Sequence, residues 1–225
     1  IDLNNQKDLN NDEINQKDLN NDEINQIDLN NELVDDDFYD NDVENDSKNR
    51  LIVSIFDAPG NEKLRIFNIE PLKRLISRSC SFCTINSIDV DSHNLTSLIE
   101  MASKSNVFIA RSGVGFEHVI WLSSDSYVVE LKPYGFWCED KYEIAANISG
   151  SKYYSVMNDN LNIQNKLEQY KKRLNTCLSA KSYCESPECY DVLFEQLIDV
   201  DLTIFNQTWT KILSDLQRKY QINKK

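Results

Sequence analysis

Residues 49–157 predict an α/β fold of Rossmann-like type, a parallel sheet with helices packed on its faces. Three observations carry that prediction. Five short apolar, β-branched runs recur along the segment. Helical stretches of about ten residues separate them. The runs are continuously apolar, as strands covered on both faces must be. Strands alternating with helices in this way call for right-handed crossovers and parallel pairing. An acidic tail (1–48) precedes this domain and a helical extension (158–225) follows it.

The first run is Leu51 to Phe56, ended by Ala58-Pro59-Gly60, a turn signal. Leu64 to Phe67 leads into Asn68, and apolar residues at 69, 72, 75 and 76 give a short helix to Ser77. Cys83 to Val90 is the second strand, and Leu95, Leu98, Ile99 and Met101 give the next helix, to Lys104. Val107 to Ala110 is the third strand; a glycine turn and an apolar helix over 116–122 follow. Tyr127 to Leu131 is the fourth strand, Tyr142 to Ile148 a short helix, and Tyr153 to Val156 the last strand. Leu161, Ile163, Leu167, Leu174 and Leu178, then Val192 to Tyr220, read as helices that pack on this domain or on a partner domain.

The tail is a different material. Residues 1–50 hold 16 Asp/Glu and 4 Lys/Arg, whereas residues 51–225 hold 21 and 20, so a formal charge of −12 out of −13 lies in the first 50. KDLNNDEINQ occurs at 7–16 and again at 17–26. Its apolar residues Leu9, Ile14, Leu19, Ile24 and Leu29 fall every five positions. A step of five advances about 140° around a helix and alternates faces of a strand, so no apolar stripe forms. A unit this polar predicts disorder through about residue 48. Neither part has the basic excess that phosphate neutralisation requires, so a nucleic-acid binder is not expected. No run of about 18 apolar residues exists to span a membrane. The chain opens on Ile1 with no signal peptide in view, the expectation for a fragment or processed form.

Six cysteines stand at 80, 83, 138, 177, 184 and 189. Cys80-Ser-Phe-Cys83 has C-x-x-C spacing, but no second pair and no histidine cluster completes a zinc site, and two core-edge cysteines are the expectation. Cys177, Cys184 and Cys189 surround the Ser186-Pro187 turn, where one disulfide suits a secretory-lumen protein. Sequons at Asn94, Asn147 and Asn206 agree with that compartment. Asp89-Val90-Asp91 has the D-x-D form of metal-dependent transferases, but Asp199-Val200-Asp201 and Asp40-Asn41-Asp42 share it, so a loop turn and no metal site is expected. His118 is read as a packing residue, Trp121, Trp137 and Trp209 as core or interdomain contacts, and Lys171-Lys172-Arg173 as a solvated helix face.

The segment richest in chemistry is NVFIARSGVGFEHVIWL, 106–122. A buried strand ends at Ala110, and Gly113 and Gly115 open the helix after it. Open α/β sheets bind ligands at the carboxyl ends of their strands. Helix N-termini offer N–H groups to anions, and glycine allows phosphate oxygens to approach the backbone. Arg111 and Ser112 add a cation and a hydroxyl beside the turn. Glu130, a lone carboxylate in the next apolar strand, is placed to accept two hydrogen bonds from a ribose diol, or else to pair with Lys132 or Arg111.

Four segments in order resemble glycosyltransferase family 61, the group containing EGF-domain-specific O-GlcNAc transferase and plant β-1,2-xylosyltransferase. They are Arg65-Ile-Phe-Asn68 with Glu70, ARSGVGF at 110–116, YVVELKP at 127–133 and YEIAANISGSKYYSV at 142–156. The resemblance covers roughly 51–157. It implies the C-terminal, nucleotide-sugar half of a GT-B enzyme, holding a UDP-sugar as donor and transferring the sugar to a protein or glycan hydroxyl with inversion and without a metal or other cofactor. It implies the Golgi or ER lumen. Carried over by position, Gly113 and Gly115 line the diphosphate, Arg65 meets its charge and Glu130 holds the nucleoside, with Asn68, Arg111 and Ser112 completing the donor site. The family's turn histidine is Ser112 here, and its arginine after the first strand is replaced by Phe56-Asp57. The N-terminal acceptor domain has no counterpart in these residues, and no catalytic base stands out. The opposing expectation is a non-catalytic remnant serving as a nucleotide- or glycan-binding or structural module.

Overall fold

The computed structural model describes residues 50–61, 64–138, 140–158, 168–179 and 183–220. The acidic repeat and its expected disorder lie outside these residues, as does the stretch 159–167 of the expected helical extension.

Five strands form one all-parallel sheet: β1 (Leu51–Asp57), β2 (Cys83–Asp89), β3 (Val107–Arg111), β4 (Tyr127–Lys132) and β5 (Lys152–Met157). Their order across the sheet is β2-β1-β3-β4-β5. The helices are α1 (Ile69–Ser79), α2 (Leu95–Ser103), α3 (Lys141–Ser149), α4 (Glu168–Ser179), α5 (Pro187–Phe194) and α6 (Leu202–Lys219). Strand and helix alternate from β1 to β5 as the periodicity predicts, with one difference. The expected helix over 116–122 is a six-residue 3-10 turn, Phe116–Trp121.

The period-two alternation of the strands divides the core. Leu51, Val53 and Ile55 of β1, Val107 and Ile109 of β3, and Tyr127, Val129 and Leu131 of β4 face one layer. Phe56, Phe108, Ala110 and Val128 face the other. Both sets are buried, which is why these strands read as unbroken apolar runs. The edges differ: Asn86 and Ser87 of β2 and Lys152 and Ser155 of β5 are exposed, and polar side chains there discourage pairing with another chain.

On the first face, Leu72 and Ile76 of α1 pack with Phe205, Trp209, Ile212 and Leu216 of α6. Those four positions recur at helical spacing and bring α6 flush with the sheet. The C-terminal helix is therefore a layer of the domain and no appendage. Asp201 caps it, accepting from Thr203 N at 2.8 Å and Ile204 N at 3.0 Å. On the second face lie α2, α3 and the 3-10 turn. A third cluster joins Phe136 after β4 to Leu174 and Cys177 of α4 and Val192 and Leu193 of α5. Among the described residues, no helix is long and apolar enough to cross a membrane.

All six cysteines are paired, as Cys80–Cys83, Cys138–Cys184 and Cys177–Cys189. One bridge around the Ser186-Pro187 turn is as expected. A second ties that turn to the loop after β4, and the two core-edge cysteines are bonded to each other. The C-x-x-C pair sits at the C-terminal end of α1 with both residues buried. A helix N-terminus would favour a reactive thiolate; this end does the opposite, so the bridge is structural.

The expected helical run from Val192 to Tyr220 is broken at Glu195–Asp201, where the chain crosses to β1's loop. Ile198 bridges Ile66, and Asn68 clamps Val200, donating to its carbonyl at 2.9 Å and accepting from its N–H at 2.8 Å. Asn68 therefore acts as a splint between α1 and α6. Asn68→Ala leaves both backbone groups of Val200 unpartnered and is expected to cost about 1–3 kcal/mol. Guanidinium denaturation checks this, with a lowered midpoint at an unchanged slope.

Candidate functional site

The strand order sets where a ligand can enter. After β1 the chain moves to β2 on one side; after β3 it moves to β4 on the other. The connections thus diverge between the carboxyl ends of β1 and β3, the switch point at which open α/β sheets leave a crevice. The loop after β1 brings Gly60, Asn61 and Arg65 there, and the turn after β3 brings Arg111 to Gly115. The predicted glycine turn and Arg65, far apart in sequence, meet the same sheet edge.

At the turn, Gly113 and Gly115 have φ of 79° and 64°, a left-handed conformation that L side chains avoid. Gly115 is buried, and a Cβ there would lie 2.9 Å from Val90 Cγ1 and 3.1 Å from Phe56 Cδ1. Gly113 is exposed, but a Cβ on it would overlap the Phe194 ring. Both glycines thus serve close packing, Gly115 in the core and Gly113 under the Phe194 ring, and Gly113 alone of the two is exposed. The element behind them is a short 3-10 turn, so it offers less dipole than the α-helix expected there.

Arg111 is fully buried and points away from solvent. Its guanidinium donates to the carbonyls of Ser112 at 3.0 Å, Gln196 at 3.1 Å and Phe194, and its carbon lies 4.9 Å from the Phe194 ring centroid. Phe194 and Gln196 flank the C-terminal end of α5, where the helix dipole favours a cation. The charge that the sequence places beside the turn thus caps a helix.

Glu130 lies on the second face of β4 with 1% of its surface exposed. Ser112 Oγ donates to its Oε1 at 2.5 Å, the Tyr153 hydroxyl donates to its Oε2, and Lys132 Nζ stands 3.6 Å from Oε2. The pairing with Lys132 is the one foreseen; Ser112 and Tyr153 are partners that strand spacing alone does not reveal. Ser112 is itself fully buried. Register explains the meeting: Glu130 pairs with Ala110 on one side and Ser155 on the other, which sets residues 112 and 153 within reach. Burial pushes the Glu130 carboxyl above its usual range, the hydrogen bonds and Lys132 opposing this; burial and the carboxylate push the Tyr153 phenol up.

Across the switch point, burial likewise raises Asp57, whose Oδ1 accepts from Ile66 N at 2.8 Å. Arg65 adds a favourable charge to it, and Arg65 Nε is buried without a hydrogen-bond partner. Asp89 forms the expected loop turn, accepting from Asp91 N at 3.0 Å and Ser92 Oγ at 2.5 Å, and the Ser92 hydrogen bond holds its carboxyl below the usual range. Among the described residues no three His, Cys, Asp or Glu side chains come together as a metal cluster. His118 is buried against Phe56, with ring centroids 5.9 Å apart, in the packing role expected. Trp209 is in the core and donates to Ser79 Oγ at 2.7 Å, whereas Trp121 and Trp137 are exposed, at 48% and 67%. Lys172 and Arg173 face solvent.

No protein-family model matches the chain, and no curated protein matches it.

Because the folded carboxyl of Glu130 titrates above its unfolded counterpart, the folded state holds the extra proton between the two values, and stability falls as pH rises through that window. Glu130→Gln keeps an oxygen for Ser112 and cannot ionise. Denaturation midpoints of the two proteins are expected to lie closest at about pH 4, near the unfolded pKa, and to separate in the variant's favour as pH rises. A constant difference across pH would locate the linkage elsewhere.

Proposed function

We propose that this domain binds a nucleoside diphosphate sugar at the β1/β3 switch point and is the donor half of a glycosyltransferase resembling family 61. The observation that carries the proposal is the placement of Arg65 and of an exposed left-handed glycine, Gly113, on the loops that follow β1 and β3. Backbone at Gly113 lets phosphate oxygens come close, and Arg65 supplies the positive charge that the diphosphate requires. When the sugar leaves, charge accumulates on the diphosphate, and donors already in place there lower the barrier.

The roles within the site are then divided. Gly113 and Arg65 contact the donor. Ser112, Glu130 and Arg111, which are buried and mutually or internally bonded, hold the turn in its shape, and Gly115 lets it pack. Asn68 positions the loop carrying Arg65 through its clamp on Val200. The acceptor and the group that removes its proton belong to the other side of the cleft. The transfer needs no metal in this scheme, and the donor reaches the protein in the Golgi or ER lumen.

A second reading has its own observation in its favour. Arg111 and Glu130 face no solvent, so a module that binds a nucleotide without catalysis, or that is wholly structural, retains the same turn. Calorimetric titration of UDP into the full chain separates the readings. Binding that weakens at least tenfold in Arg65→Ala, and is lost in Gly113→Asp, is the expected outcome. Binding without hydrolysis or transfer of a UDP-sugar favours the non-catalytic module, and absence of binding at millimolar UDP overturns donor binding altogether.

A further inference from the structure

A second concave surface lies on the opposite layer of the molecule, away from the switch point. Helices α1 and α6 form an open groove of about 650 Å³ lined by Pro71, Arg74, Leu75, Arg78, Leu202 and Thr203. Pro71, Leu75 and Leu202 supply its apolar surface. Its rim carries Arg74 and Arg78, four residues apart on the exposed side of α1 and outside the ion pairs of the described residues. A groove that mixes apolar side chains with multiple N–H donors suits an occupant with apolar C–H faces and many acceptor oxygens, the profile of a sugar.

Asn206 stands in the wall of this groove. It is exposed, its side-chain amide makes no hydrogen bond within the described residues, and Asn206-Gln207-Thr208 is a sequon. Asn45-Asp46-Ser47, a sequon too, lies outside the described residues, and the sequons at Asn94 and Asn147 lack this setting. Asn94 is engaged as the N-cap of α2, accepting from Ser97 N at 2.9 Å, and Asn147 lies at the far end of α3 on the other face of the sheet. A separate observation bears on the compartment: every cysteine of the chain is in a disulfide, the condition of proteins that mature in an oxidising lumen, where sequons are modified.

We propose that Asn206 carries an N-linked oligosaccharide whose first sugar residues seat in the α1/α6 groove. The modification forms a bond between Asn206 Nδ2 and the anomeric carbon of a lipid-diphosphate-linked oligosaccharide. The bond from that carbon to the diphosphate oxygen breaks, the lipid diphosphate leaves with the electron pair, and the amide proton passes to a base of the transferring enzyme. In the product the sugar rings lie over Leu75 and Leu202, and Arg74 and Arg78 donate to hydroxyl and acetamide oxygens. The inference stands independently of the donor site.

The test is the full chain secreted from eukaryotic cells behind a heterologous signal sequence. Peptide mass spectrometry is expected to find the Asn206 peptide heavier by one oligosaccharide, and amidase treatment is expected to release the glycan and leave aspartate at that position. Amide hydrogen exchange of the folded glycoprotein is expected to show protection over 74–79 and 202–206 that is lost in Thr208→Ala, which removes the sequon and leaves Asn206 in place. An unmodified Asn206, whether or not Asn94 or Asn147 is occupied, overturns the proposal. A glycan on Asn206 whose removal leaves exchange at 74–79 unchanged overturns its seating in the groove.

Discussion

A parallel sheet whose central strands are apolar on both faces is not stable until both faces are covered, and that requirement organises the molecule. Alternate residues of β1, β3 and β4 feed two separate cores, so the helices between strands must divide between two sides. The crossovers alone do not complete the first face. Helix α6, from the far end of the described chain, supplies Phe205, Trp209, Ile212 and Leu216 to close it. The path to that position passes Ile66 and Asn68, so the segment that anchors α6 is also the one that holds Arg65 at the sheet's carboxyl edge.

Polar groups inside such a sheet must find partners, and the candidate site shows how this constraint shapes chemistry. A carboxylate at Glu130 is tolerable because Ser112, Tyr153 and Lys132 surround it, and a guanidinium at Arg111 because the carbonyls ending α5 receive it. Each arrangement ties a different layer to the glycine turn. The turn is held from behind by buried charge, and the Phe194 ring lies against its exposed glycine, Gly113. Rigid support of an exposed backbone suits recognition of an anion, since little reorganisation accompanies binding.

Much of this was legible in the sequence because it depends on local periodicity. All five strands and the helices of the α/β region follow from apolar spacing, and the turn at Gly113 and Gly115 from the strand that stops before it. The Asx turn at Asp89 was legible for the same reason. The element over 116–122 was not, since its apolar residues fit an α-helix and a 3-10 turn equally over six positions. Nor were Ser112 and Tyr153 as partners of Glu130: they lie 18 and 23 residues away and meet it only through strand register. Cysteine spacing exposed the cluster around Ser186-Pro187 but could not pair Cys138 with Cys184, a bridge across 46 residues.

The sequence by itself determined the class of fold, the location of the chemistry-bearing turn and the concentration of net negative charge in the first 50 residues. These are properties of composition and short-range pattern, which the chain carries whatever its tertiary arrangement. The structure alone decided the roles. It made Arg111 a buried helix cap and withdrew Glu130 and Ser112 from solvent. Exposure and partnership are set by which distant segments pack together, and no local pattern encodes that.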